Sequence, residues 1–173
     1  LIHPLNTPAK SPYRYLAGVG LAYLIAKELV SKNNDSSDFK PLLELFCIGT
    51  IADMAPLIGA NRNWLKTGLK DFNNSESLAI REILTIMGIG KKEIDSEDIG
   101  FKIAPLINAV GRIGNPDTIL KLFNSDDKLD ISNLVNESFQ LNLNPRKLTE
   151  DMQKNALEMV EKDLSNIPNF IVL

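Results

Sequence analysis

Apolar residues recur at helical spacing along most of this chain. From 13 to about 32 the run YRYLAGVGLAYLIAKELV is apolar almost all round, which predicts a buried helix. Gly18 and Gly20 inside it predict close approach by another backbone. A polar loop, KNNDSSD, follows, and Pro41 then suits the first turn of a helix through LLELFCIG, where its missing N–H is not needed. GTIADMAPLIGAN, 49–61, is punctuated by Gly and Pro and reads as an irregular bend. Asn61 is a candidate cap for the next helix, RNWLKTGLKDF, with Trp64, Leu65, Leu69 and Phe72 on its inner face.

SESLAIREILTIMGI is a further amphipathic helix, with Gly88 near its C-terminal end. Ser96 and the two acids after it mark another helix start, and Pro105 should kink or interrupt that segment. A short helix after Asn115-Pro116 and a longer one around 127–142 come next. The stretch 148–164 carries Met152, Ala156, Met159, Val160 and Leu164 at helical spacing over an acidic and polar opposite face. Strands are expected only at the two ends, in LIHPL and in NFIVL after Pro168. Both ends read as cut, so an internal segment of a longer protein is expected.

Composition adds the balance of a soluble globular protein, 44% hydrophobic and 24% charged. No apolar run is long enough to span a bilayer, and no signal peptide is evident. The single cysteine, Cys47, excludes an internal disulfide and suits a reducing, cytoplasmic setting; its apolar neighbours predict a small buried hydrophobe. A net charge of −3 neither advertises nor excludes nucleic acid, because phosphate affinity depends on where the cations sit.

The candidate chemistry is sparse. There is one histidine, His3, before Pro4, which is structural more often than a metal ligand. Asp53 stands beside Ile51, Ala52, Met54 and Ala55, and a carboxylate in that company is costly to bury unless something pairs with it. Most other acids fall on polar stretches or amphipathic faces. In INAVGRIGN, 107–115, Arg112 lies on a Gly-flanked bend where its planar fork could meet a phosphate; an arginine that caps helix carbonyls explains the pattern equally well. Arg62 carries the same two alternatives.

Three stretches carry a resemblance: LAGVGLAYLIAKEL (16–29), GTIADMAPLIGANR (49–62) and GFKIAPLINAVGRIG (100–114). In this order and spacing the chain resembles the DHH phosphoesterase superfamily, and specifically its RecJ-type single-strand-specific exonucleases. The resemblance implies a mainly helical C-terminal part of an α/β DHH domain over 1–147. It further implies a long connecting helix over 148–166 and the first strand of a DHHA1-type lobe over 167–173. It implies that Asp53 is a catalytic, metal-coordinating carboxylate of a two-metal Mn²⁺ or Mg²⁺ site, which suits hard oxygen donors. Asn108, Arg112 and Arg62 are implied as contacts to substrate phosphate. Relatives often carry an arginine two residues before that Asn, where this chain has Leu106, so the electrostatic grip falls on Arg112 and Arg62.

The Asp-His-His motif that names the superfamily does not occur in this chain. The resemblance therefore implies a metal-dependent 5′-to-3′ exonuclease on single-stranded DNA in recombination and repair, with this segment inactive alone. Single-stranded DNA is the implied partner, with a single-strand-binding protein and recombination helicases beside it. The rivals are a sibling phosphoesterase on short oligonucleotides or other small phosphate substrates, and a DHH-like replication scaffold that has lost catalysis.

Overall fold

The computed structural model describes residues 3–32, 39–89 and 93–162. The described chain is helix after helix, with no strand among the described residues. Among the described residues eight α-helices follow one another: α1 (Gly18–Lys32), α2 (Lys40–Ala52), α3 (Gly59–Lys70), α4 (Leu78–Ile86), α5 (Ser96–Asp98), α6 (Ala104–Ile113), α7 (Asp117–Asn124) and α8 (Lys128–Lys162). The expected C-terminal strand, 167–173, lies outside the described residues.

The core forms where the inner faces of these helices meet. α2 packs between α1 and α3, while α4, α6 and α7 each pack on the first half of α8. Phe46, Phe72, Ile83, Ile99, Ile103, Leu122, Ile131 and Val135 are essentially sealed from water. Full burial of such a side chain is worth about 1.5–3 kcal/mol, so this shared core, more than helix propensity, holds the elements together. α2 and α3 come close because Gly68 faces Cys47: a Cβ there would sit 2.4 Å from the Cys47 Sγ.

Several sequence expectations are corrected. LIHPL does not enter as a strand over its described part. Pro4–Asn6 form a 3₁₀ turn, capped by the His3 Nδ1, which accepts from the Leu5 N–H at 3.2 Å. Pro4 has a fixed φ and no N–H for a ladder, so a turn with a side-chain cap wins. α1 begins at Gly18 rather than Tyr13, and Ile25 and Leu29 are about half exposed, so the helix is not buried all round. Gly18 has open space around it, and the atoms nearest a Cβ at Gly20 belong to the Leu16 side chain, so the closest neighbour at each is not another backbone.

GTIAD is not part of an irregular bend: α2 runs on to Ala52. The cap before Ser96 is Asp95, whose carboxylate accepts from the Asp98 N–H at 2.9 Å. Pro105 does interrupt regular hydrogen bonding. A π-helical stretch, Ile99–Ile103, precedes it, with the Ala104 N–H reaching Ile99 O. Residues 128–142 and 148–162 lie on one continuous helix that runs through Pro145. A mid-helix proline costs about 3 kcal/mol, a loss that packing on α4, α6 and α7 offsets on the N-terminal half.

Candidate functional site

Asp53 closes α2. Its N–H donates to Gly49 O at 3.0 Å, the Met54 N–H to Ile51 O at 3.0 Å, and the Ala55 N–H to Thr50 O at 3.1 Å. This is a Schellman ending, in which the two last bonds satisfy orphan carbonyls and the residue between them takes a left-handed conformation. α4 ends in the same way, with Gly88 at φ 65°, Gly88 N–H on Thr85 O and Ile89 N–H on Leu84 O. Glycine adopts that conformation without strain. In the Asp53 turn the same position is Met54, at φ 52° and 89% exposed. A side chain there costs about 1–2 kcal/mol.

The carboxylate is also on the wrong end of its helix. An acid beside the negative terminus of the macrodipole is unfavourable by about 0.3–1 kcal/mol, and α2 has no basic residue in its last turn. Asp53 is exposed, so desolvation is not the cost that makes it unusual. Two locally unfavourable choices, an acid at a helix C-cap and a methionine in left-handed backbone, fall on adjacent residues. Strain of that kind concentrates at functional turns. Carbonyls and a carboxylate gathered at one helix end also make a negative locus that favours a cation.

Asn61 does not cap α3. Ile58 holds that position, and Asn61 lies inside the helix, 1% exposed. Its Nδ2 donates to Tyr15 O at 2.8 Å and to Pro56 O at 3.0 Å, so it ties both the turn after Asp53 and the 12–15 segment to α3. Arg62, the next residue, is exposed. The structure thus fixes Asp53 and Arg62 to the two ends of one clamped turn.

Asn108 and Arg112 are one helical turn apart on α6 and both exposed. With Ile107, Gly111, Pro116, Ile119 and Leu120 they line an open groove of about 650 Å³. Arg112 makes no capping bond to a helix carbonyl among the described residues, so its guanidinium is free to meet an anion. Leu106, where relatives often have arginine, is fully buried in the core. The structure brings Asn108 and Arg112 together, while Asp53 and Arg62 belong to a separate turn. No hydrogen bond or ion pair joins the two groups among the described residues.

The buried carboxylate in this region is Glu44, not Asp53. Glu44 is 1% exposed and its Oε2 accepts from the Ser75 hydroxyl at 2.6 Å. Its helical spacing to Cys47 and Ile48, three and four residues on, is the signal that finds it, because all three face the core. Cys47 is the small buried hydrophobe expected: burial, aided by Glu44, pushes its thiol up to about 12.

Among the described residues, no group of three or more His, Cys, Asp or Glu is placed to hold a metal ion. Asp53 alone offers at most two oxygens, whereas Mg²⁺ needs about six ligands in near-octahedral array. The described residues therefore do not by themselves form a two-metal site. No described helix is long and apolar enough to cross a membrane.

No protein-family model matches the chain. It is 36% identical over 162 residues to the single-stranded-DNA-specific exonuclease RecJ of Bacillus subtilis, covering 94% of this chain and 20% of that protein. It is 32% identical over 172 residues to the exonuclease of the same name from Thermus thermophilus, covering 96% of this chain and 24% of the relative. Among solved structures it matches exonuclease RecJ bound to manganese, with a TM-score of 0.77 at 31% identity, over 91% of this chain and 40% of that one. It also matches Thermus thermophilus RecJ in complex with Mg²⁺, with a TM-score of 0.73 at 31% identity, over 88% of this chain and 24% of the other. The chain thus spans about a fifth to a quarter of the length of these two curated relatives. The resemblance drawn from the three sequence blocks is borne out, and so is the mainly helical fold.

Proposed function

We infer that this chain is a segment of a RecJ-type single-strand-specific exonuclease. We propose that the enzyme containing it hydrolyses the phosphodiester bonds of single-stranded DNA from the 5′ end with Mn²⁺ or Mg²⁺. Residues 1–147 would be the helical part of its DHH domain, 148–166 the connector to the second lobe, and 167–173 that lobe's first strand. The observation that carries the assignment is the Asp53 turn, with an exposed acid on the negative end of α2 beside a methionine in left-handed backbone. A dication there would offset both the helix dipole and the carboxylate charge.

In this scheme Asp53 contributes one carboxylate, and the remaining ligands come from outside the chain, because the described residues do not complete the set. Bound metal would supply Lewis acidity and an activated water. Arg112 and Asn108, side by side on α6, hold and orient substrate phosphate, the arginine by its planar fork. Arg62 adds a second positive contact close to the Asp53 turn. Work in recombination and repair would bring the enzyme to a single-strand-binding protein and recombination helicases, in the cytoplasm.

The test is a cleavage assay on 5′-labelled single-stranded DNA with Mn²⁺, using the longer protein that contains this chain. Asp53→Asn should lower kcat by about 10²-fold or more, since metal stabilisation is worth several kcal/mol. Arg112→Ala should act mainly on KM. The chain alone should not cleave. Cleavage by the chain alone, or wild-type rates in Asp53→Asn, would sink the assignment.

A further inference from the structure

α3 carries a polar side chain where its inner face asks for an apolar one. Asn61, Leu65 and Gly68 recur at i, i+4 and i+7, and all three are buried. Leu65 belongs to the core, and Gly68 lies against Cys47 of α2. Asn61 is 1% exposed, although asparagine is a poor helix former and a buried amide is costly unless bonded. Its Nδ2 donates to two carbonyls, Tyr15 O at 2.8 Å and Pro56 O at 3.0 Å. Its Oδ1 is sealed from water and accepts no hydrogen bond among the described residues. An apolar side chain would complete the face without burying that oxygen, so the face alone does not call for an amide.

What the amide holds is the link from Asp53 to α3. Residues 53–58 connect α2 to α3, and the bonds from the Asp53, Met54 and Ala55 N–H groups fix the α2 end. Pro56, three residues after Asp53, has no N–H, so its backbone can be tied only through its carbonyl. That carbonyl accepts from the Ile58 N–H at 2.9 Å, a bond within the link, and from Asn61, a bond to α3. Left-handed backbone stands near both ends of the link, Met54 at φ 52° and Gly59 at φ 56°. A connection of that kind keeps one path only if something outside it over-determines it.

The second bond of Asn61 reaches the 12–15 segment, which is itself fastened on two sides. Pro12 O accepts the Ala60 N–H at 3.1 Å, and the Arg14 guanidinium donates to Leu5 O and Thr7 O, each at 2.9 Å. Asn61 thus joins α3, the 12–15 segment and the Asp53 link at one buried point.

We propose that Asn61 is a positioning residue for Asp53: its amide fixes the 53–58 link against α3 and the 12–15 segment, and so holds the carboxylate where a divalent cation can use it. The inference rests on the assignment of Asp53 as a metal ligand. Asn108 and Arg112 belong to a separate group, so losing the amide acts on the cation and leaves the grip on DNA alone.

The test uses the longer protein that contains this chain, with Asn61→Leu, which keeps the branched shape of the side chain and removes its donor. Asn61→Ala, which adds no bulk, makes the same comparison if the leucine variant does not fold. Mn²⁺ alone is titrated without DNA, and the free ion is read by electron paramagnetic resonance. Asn61→Leu should bind Mn²⁺ about tenfold more weakly, as removal of a group one step behind a ligand does. In cleavage assays the Mn²⁺ needed for half-maximal rate should rise with it, excess Mn²⁺ should restore kcat, and KM for DNA should not change. In metal-free protein, hydrogen exchange at the Ala55 and Ile58 amides should quicken about tenfold, with α7 unaffected.

Ile83→Val, a buried change on α4, which packs on α7 and α8, lowers stability without touching the link and should leave Mn²⁺ affinity at the wild-type value. Wild-type Mn²⁺ affinity in folded Asn61→Leu would overturn the proposal. So would unquickened exchange at 53–58, or an equal loss of affinity in Ile83→Val. Asp53→Asn separates the two assignments. Weak Mn²⁺ binding in Asp53→Asn with wild-type binding in Asn61→Leu keeps Asp53 as a ligand and removes the role of Asn61. Wild-type Mn²⁺ affinity in Asp53→Asn removes the metal assignment and this inference with it.

Discussion

Gly59→Ala should destabilise the protein more than an ordinary surface change. Gly59 opens α3 at φ 56°, where a β-carbon costs about 1–2 kcal/mol. That carbon would also stand 2.7 Å from Pro12 O, a backbone atom that cannot rotate away. The same carbonyl accepts the Ala60 N–H at 3.1 Å, so moving it sacrifices a hydrogen bond worth about 0.5–1.5 kcal/mol. Both terms have one sign and together predict a loss of about 2–3 kcal/mol, or roughly 4–12 °C in Tm for a chain of this size. Urea unfolding followed by circular dichroism measures it. Gly18→Ala is the control: it has open space and no left-handed φ, and should be neutral or slightly stabilising, by up to about 1 kcal/mol. Equal effects of the two substitutions would refute the geometry assigned to the start of α3.

Met54→Gly should raise stability by up to about 1 kcal/mol in the same experiment, as strain relief exceeds glycine's entropy cost at this exposed site. A loss of stability would remove strain from the description of the Asp53 turn. Cys47 should resist thiol reagents at pH 8 until the protein unfolds, because its thiol is pushed up to about 12 by burial. The folded state keeps that proton where the unfolded chain, with a pKa of about 8.5, releases it, so the contribution is present below about 8.5 and is lost as pH rises toward 12. Between about pH 8.5 and 10, wild type should lose up to about 1.4 kcal/mol per pH unit more than Cys47→Ala. Equal pH slopes would contradict the burial argument.

Much of the fold was legible in periodicity, because amphipathic helices are written in spacing. The inner face Trp64, Leu65, Leu69 and Phe72 packs as expected, with Leu65 and Phe72 buried. What escaped was decided by single polar groups. Asp53 looked costly because its sequence neighbours are apolar, but its helix ends there and turns the carboxylate outward. Glu44 is not among the candidates the sequence offers, yet helical geometry puts it on the face of Cys47 and Ile48 with the Ser75 hydroxyl as donor. Asn61 looked like a cap and is instead a buried clamp on two carbonyls, a role set by tertiary contacts that no local pattern contains. The helix around 127–142 and the stretch 148–164 were expected as separate elements, but the packed first half of α8 carries one helix through Pro145. The Asp53 candidate survives these corrections on different grounds: its exposure, its helix end and the strained residue after it.

The most direct measurement is an anomalous diffraction map of the longer protein, containing this chain, in crystals grown with Mn²⁺. A peak about 2.1–2.2 Å from an Asp53 carboxylate oxygen, with other acids from outside this chain completing the ligand set, is the predicted result. Manganese bound elsewhere with Asp53 pointing into solvent would contradict the account.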